Sequence, residues 1–160
     1  MEINVLIDEG LEADLEAGWL QSIAEQALMA QNAGSNVEMG LVITGQERVQ
    51  QLNRSYLGRD EPTDVLAFPM LVSNDKIEAD LPPFVTPPDG TLHLGEVIIS
   101  YPQAVIQAEE RQHSIRKEIA ILITHGVLHL MGYRDDTPEL KHRMSVRETE
   151  ILNSMEGKLR

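Results

Sequence analysis

The sequence predicts an α+β fold: one domain over residues 1–160, with a small mixed sheet of about four strands packed against about five helices. Three observations lead there. Short β-branched runs with no helical period alternate along the chain with longer stretches whose apolar residues recur every three to four positions. At 160 residues, 42% hydrophobic and 24% charged, the composition is that of one globular domain. A chain of this length buries roughly two-thirds of its unfolded surface and so holds a core without disulfides.

The elements follow in order. Residues 3–8 read as a first strand. After Gly10 the period changes, with Leu11, Leu15, Trp19 and Ile23 at four-residue steps, which predicts an amphipathic helix to about Gly34. Val37 to Ile43 is a second strand. Thr44 and Glu47 have the spacing of a capping box, so a short helix is expected from there to about Tyr56. After the turn-rich Gly58–Thr63 stretch, Asp64 to Phe68 reads as a third strand ended by Pro69. Residues 71–92 have no clear period and contain Pro82-Pro83 and Pro87-Pro88, which predicts a surface excursion. Leu94 to Ile99 is the fourth strand, and Ser100 caps a helix carrying Ala104 and Ala108. Ser114 opens the most apolar helix, stopped by Gly132. Thr137-Pro138 opens the last one, with Leu140, Met144, Ile151 and Met155 on one stripe.

Composition also excludes functions. Cysteine is absent, which removes a disulfide framework, a Cys-ligated zinc finger, an iron–sulfur cluster and a thiol nucleophile together, and fits a reducing cytoplasm. The first nine residues show no basic segment before a long apolar one, and no apolar run approaches the ~20 residues needed to span a bilayer. Neither secretion nor membrane insertion is expected. The formal net charge of −13 disfavours free association with nucleic acid over the surface as a whole. A site acts through its local field, however, and a bound metal changes that field.

The chemistry concentrates in Thr124 to Asp136. His125 and His129 stand at i and i+4 on the expected helix, about 40° apart around its axis, so two imidazoles can converge on one ion. A catalytic zinc takes three protein ligands and keeps one position open. Gly132 can turn the chain back so that Asp135, or Asp136, supplies the third donor. The bland alternative is a pair of hydrogen-bonded core histidines. It is weakened by the apolar surroundings, where unpartnered imidazoles are costly. The metalloprotease pattern H-E-x-x-H places a general base directly after its first His; here that residue is Gly126, so peptide hydrolysis is disfavoured.

His125-Gly-Val-Leu-His129-Leu-Met-Gly-Tyr-Arg-Asp135 resembles the signature H-G-x-L-H-L-x-G-Y-D-H of the YbeY family of bacterial endoribonucleases and rRNA maturation factors. Leu52-Asn53, Tyr56, Pro62 to Pro69, Leu94 to Ser100 and the Glu148/Glu150 helix resemble further blocks of the family in the same order, covering about residues 40–152. The resemblance implies a single α+β domain with one Zn2+ in a cleft. It also implies a cytoplasmic role in 16S rRNA 3′-end maturation and ribosome quality control, with single-stranded RNA and the ribosome or its small-subunit proteins as partners. It makes His125 and His129 zinc ligands and puts the third on Asp135, where the family usually has His.

A carboxylate there keeps the coordination but lowers the positive charge of the site. The family also has an Arg where this chain has Leu57; Arg59, two positions on, is the nearest guanidinium able to stabilise a phosphate, with Arg54 a lesser candidate. The expected activity is metal-dependent RNA hydrolysis involving His125 and Arg59. The alternative is a ribosome-assembly factor whose zinc is structural or weakly active. His93 and Glu96 are open to a proton-carrying role or a plain strand-edge one, and Arg111, His113, Arg116 and Lys117 to an RNA contact or a solvated face.

Overall fold

Period-two burial builds the sheet. The structure, a computed structural model, describes residues 1–11, 15–61, 63–70 and 91–159. In β2 (Val37–Thr44) residues Val37, Met39, Leu41 and Ile43 are all buried, while β1 (Glu2–Ile7), β3 (Val65–Pro69) and β4 (Leu92–Ser100) complete a sheet of order β1-β2-β4-β3. β1, β2 and β4 run parallel, and β3 pairs antiparallel to β4. The sheet is therefore mixed, as the sequence predicts. One further residue, Leu94, is accommodated where the β2–β4 register slips between Glu38 and Met39. The adjoining Gly95 has φ +130°, and a Cβ there would lie 2.2 Å from the Phe68 carbonyl oxygen, so only glycine fits.

Among the described residues five α-helices cover the sheet: α1 (Ala17–Ala30), α2 (Gln46–Leu57), α3 (Tyr101–Glu110), α4 (Ile115–Leu130) and α5 (Pro138–Ser154). The main core joins α1 and α4 to one sheet face, with Leu20, Ile23, Leu41, Ile43, Ile119 and Ile123 fully buried. A smaller cluster of Val49, Leu66 and Ile98 lies under α2 on the other face. The caps read from Ser100, Ser114 and Thr137 all form, each side chain accepting from the backbone N–H three residues on.

Several boundaries differ from the sequence reading. α1 begins at Ala17 rather than just after Gly10, and it stops at Ala30, where Gln31 caps it and Asn32 takes φ 55°. Leu15 is buried although it precedes the helix, so its four-residue spacing to Trp19 reflects burial without helical pairing. The capping box at Thr44 does not form. Gly45 is the N-cap, and the Thr44 hydroxyl instead donates to the Asp8 carboxylate, because Thr44 is still the last paired residue of β2. The proline-rich excursion expected at 71–92 lies outside the described residues up to 90, and β4 begins at Leu92.

Candidate metal centre

α4 lies directly on the sheet at one glycine. A Cβ on Gly126 would come within 2.6 Å of Val97 Cγ1, so the missing side chain lets the helix approach β4 there. This gives Gly126 a packing reason, and it leaves His125 and His129 on the same face of the helix at its partly exposed C-terminal end.

A complete Schellman turn ends the helix. Gly132 takes φ 99°, its N–H donates to the His129 carbonyl at 3.1 Å, and the Tyr133 N–H donates to the Leu128 carbonyl at 2.9 Å. The turn folds residues 133–135 back towards the imidazoles. The His129 Nδ1 meets the Tyr133 carbonyl at 3.0 Å, and the Asp135 carboxylate comes to 3.6 Å from His129 Nε2. Asp136 is engaged elsewhere, its carboxylate 2.5 Å from Arg134, and this contact holds its pKa below the usual range. Of the two acids after Gly132, Asp135 is thus the one that joins the site.

From α5, Glu148 places a carboxylate oxygen 2.5 Å from His125 Nδ1. A carboxylate and a carbonyl only accept, so both Nδ1 atoms must be the N–H donors, and in neutral rings both Nε2 atoms then carry lone pairs. Those two nitrogens lie 3.1 Å apart. Lone pairs facing each other at that distance repel unless a cation or proton stands between them. One ligand atom each from His125, His129 and Asp135 falls within 4.8 Å of the others, so the three could hold a metal ion.

The same contacts set opposite shifts on the two imidazoles. Burial works to lower the His125 pKa, but the hydrogen bond and charge of Glu148, helped by Asp135 and Asp64, outweigh it, and the net shift is upward. Burial and the neighbouring His125 lower the His129 pKa, against the pull of Asp135. Without a metal, a proton on His125 Nε2 can be donated to His129 Nε2.

The other residues named from the sequence are placed differently. Arg59 is exposed just beyond α2, whose last turn closes on left-handed Gly58, and among the described residues no hydrogen bond or ion pair joins it to the imidazoles. Leu57 is exposed on the final turn of α2. His93 Nδ1 lies 3.0 Å from Glu38, and Glu96 points to the sheet face opposite Val97 and α4, so neither adjoins the cluster. Arg111 and His113 are not an open basic surface: both converge on the fully buried Glu118 carboxylate, at 3.0 and 2.6 Å. Arg116 lies over the Trp19 ring.

Sequence reasoning did not find the partner of His125. Glu148 is 23 residues away on another helix, and no local spacing connects the two. Nor did it find the network in which Gln107 Nε2 donates to both Asp64 and Glu118. A glutamate inside the apolar run of α4 was the available signal for the latter.

The fold and cluster define a class: an α+β domain whose core helix carries two histidines and a following aspartate as a three-donor cradle. The chain matches the family model described as Endoribonuclease YbeY over residues 7–156. It is 52% identical to the Endoribonuclease YbeY of Dehalococcoides mccartyi strain 195 over 133 residues, which is 83% of this chain and 77% of that one. It is 39% identical to that of Chloroflexus aurantiacus strain J-10-fl over 151 residues, 94% of this chain and 92% of that one. The chain belongs to the YbeY endoribonuclease family. The solution structure of a Thermotoga maritima protein shares the fold, with a TM-score of 0.57 at 20% identity, covering 97% of this chain and 92% of that one.

Proposed function

We propose that this protein is a zinc-dependent, single-strand-specific endoribonuclease that acts in the cytoplasm on rRNA, at 16S 3′ ends and in ribosome quality control, with residues 1–160 working as one domain. Family membership supports the reaction class. The observation that carries metal dependence is the pair of Nε2 lone pairs, fixed by Glu148 and the Tyr133 carbonyl and turned with Asp135 onto one point. Two neutral imidazoles and one carboxylate fit zinc and leave a coordination position open.

Bound there, the ion would supply Lewis acidity towards a phosphodiester oxygen or a water. The protein's own part is positional. His125 and His129 present unprotonated Nε2 atoms, Glu148 holds the His125 ring by its Nδ1–H, and the Schellman turn brings in Asp135. Arg59, exposed on a long side chain, supplies guanidinium charge to the phosphate in place of the arginine missing at Leu57. Carboxylate ligation by Asp135 makes the site harder than a three-histidine one and widens the choice of metal. No described helix is long and apolar enough to cross a membrane.

A second reading, a ribosome-assembly factor that binds RNA without cutting it, is favoured by the apolar Leu57 at the family's arginine position. Incubating nuclease-free protein with single-stranded rRNA fragments, beside an identically prepared His125→Ala variant, separates the two. Cleavage by the wild type alone supports the nuclease; equal or absent cleavage in both supports the assembly factor.

A further inference from the structure

The Schellman turn has two sides. One presents Asp135 and the Tyr133 carbonyl to the imidazoles, and the other walls an open cavity of about 580 Å³ between the turn and α5. That volume is within the usual range for small-ligand sites. Met131, Leu140 and Val146 give its lining an apolar part beside Tyr133. Arg134, Arg143 and Arg147 also line it, against the single acid Glu150.

Such a concentration of cations is unusual on a chain of net charge −13. Elsewhere Arg48 pairs with Asp8, Arg111 with Glu118, and Arg116 covers Trp19, while Arg54, Arg59, Lys117, Lys141 and Lys158 do not line the cavity. Within the cavity Arg147 is anchored to Gln31 and the Ala30 carbonyl and lies 3.8 Å from Glu150, which accounts for that acid. Arg134 is exposed beside Asp136, while Arg143 is exposed with no ion-pair partner among the described residues.

We propose that this cavity is a subsite for single-stranded RNA, taking the sugar–phosphate backbone on Arg143, the lining arginine with no ion-pair partner among the described residues, and a base against Tyr133, Met131 and Val146. Charge complementarity selects a polyanion, and an aromatic ring among apolar side chains selects one whose bases are unpaired. The inference deepens the nuclease reading: the strand is gripped on one side of a turn whose other side holds Asp135 at the metal cradle. It concerns binding, so it can be tested without cleavage.

The test is fluorescence anisotropy of a short labelled single-stranded RNA with the non-cleaving His125→Ala protein, alone and combined with Arg143→Glu or Val146→Asp. Lys158→Glu, which makes the same charge change as Arg143→Glu on an exposed position of the short turn Glu156–Leu159 outside the cavity, is the control. Arg143→Glu is expected to weaken binding roughly tenfold at low salt and to shallow the slope of log K against log salt by about 0.7 for each phosphate no longer neutralised. Val146→Asp should weaken it too, with Lys158→Glu changing it less than about twofold. Equal losses from Arg143→Glu and Lys158→Glu would overturn the proposal, since net charge alone would then explain them. So would RNA affinity untouched by either cavity variant, or an absence of RNA binding. Failed cleavage by the wild type with cavity-dependent binding would remove the nuclease reading and leave this one standing.

Discussion

Replacing Glu148 with alanine or with glutamine separates the two things its carboxylate does for His125. It accepts the Nδ1–H, which fixes the tautomer and aims Nε2, and its charge makes the imidazole more basic. Hydrogen bonds to a charged group are worth about 1.5–3 kcal/mol. Both side chains retain some solvent access, His125 at 30% and Glu148 at 19% exposure, so the lower half of that range applies. A loss of about 1.4 kcal/mol is a factor of ten in an equilibrium constant, so Glu148→Ala should weaken zinc binding about 10- to 45-fold at neutral pH. Glutamine keeps an acceptor oxygen without the charge and should fall between alanine and wild type.

A second effect opposes the first in acid. The carboxylate raises the His125 pKa, and a proton on His125 competes with metal. Removing it lets burial push that pKa down, so the deficit of Glu148→Ala should shrink as pH falls towards about 5.5. Calorimetric zinc titration of chelator-treated protein at several pH values measures both. Alanine and glutamine variants that bind zinc as tightly as wild type, with the same pH dependence, would refute the role given to Glu148.

The same shifts predict opposite pH slopes for metal-free stability. His125, raised in the fold, stabilises fully below its unfolded value of 6.5 and loses that contribution as pH rises through the folded pKa. His129, lowered in the fold, costs stability as pH falls below 6.5, because the unfolded chain takes up the proton more readily. Melting temperatures in chelator should therefore favour acid more in His129→Asn than in His125→Asn; identical pH profiles would contradict this. Gly126→Ala places a methyl 2.6 Å from Val97 Cγ1 and should cost about 1–3 kcal/mol in denaturant unfolding, partly restored by Val97→Ala. Asp135→His substitutes a neutral donor for a charged one, so calorimetry should show zinc gaining over manganese or magnesium relative to wild type, as softer ligation dictates.

The legible parts of the site were those written within one helix and its stop. Spacing alone put His125 and His129 on one face, and Gly132 announced the reversal that delivers Asp135, because helix geometry and left-handed caps are local properties of sequence. Local spacing left the choice between Asp135 and Asp136 open. It is made by the contact between Arg134 and Asp136, and a loop of acids and one arginine has no period from which to read that pairing. The four strands were visible as β-branched runs, but their order was not, since β4 inserts between β2 and β3 through pairings between segments distant in sequence.

Glu148 marks the deeper limit. No spacing in the sequence names its partner: Glu148 meets His125, while Glu150, two residues on, lies beside Arg147. The difference comes from rotation about the α5 axis, fixed by the buried stripe of Met144, Ile151 and Met155. That stripe was legible, and Glu148 lies on one flank of it with Arg143 and Arg147 on the other. The apolar register of one helix thus sets which side feeds the metal cradle and which side lines the cationic cavity. Inserting a single alanine between Arg143 and Met144 turns residues 138–143 by about 100° relative to Glu148. With the stripe holding Met144 onward in place, Arg143 swings away from Arg147, so RNA affinity should fall in the anisotropy assay while calorimetric zinc affinity stays near wild type. Lost zinc affinity with RNA binding intact would show that the first turns of α5, rather than its buried stripe, fix the register.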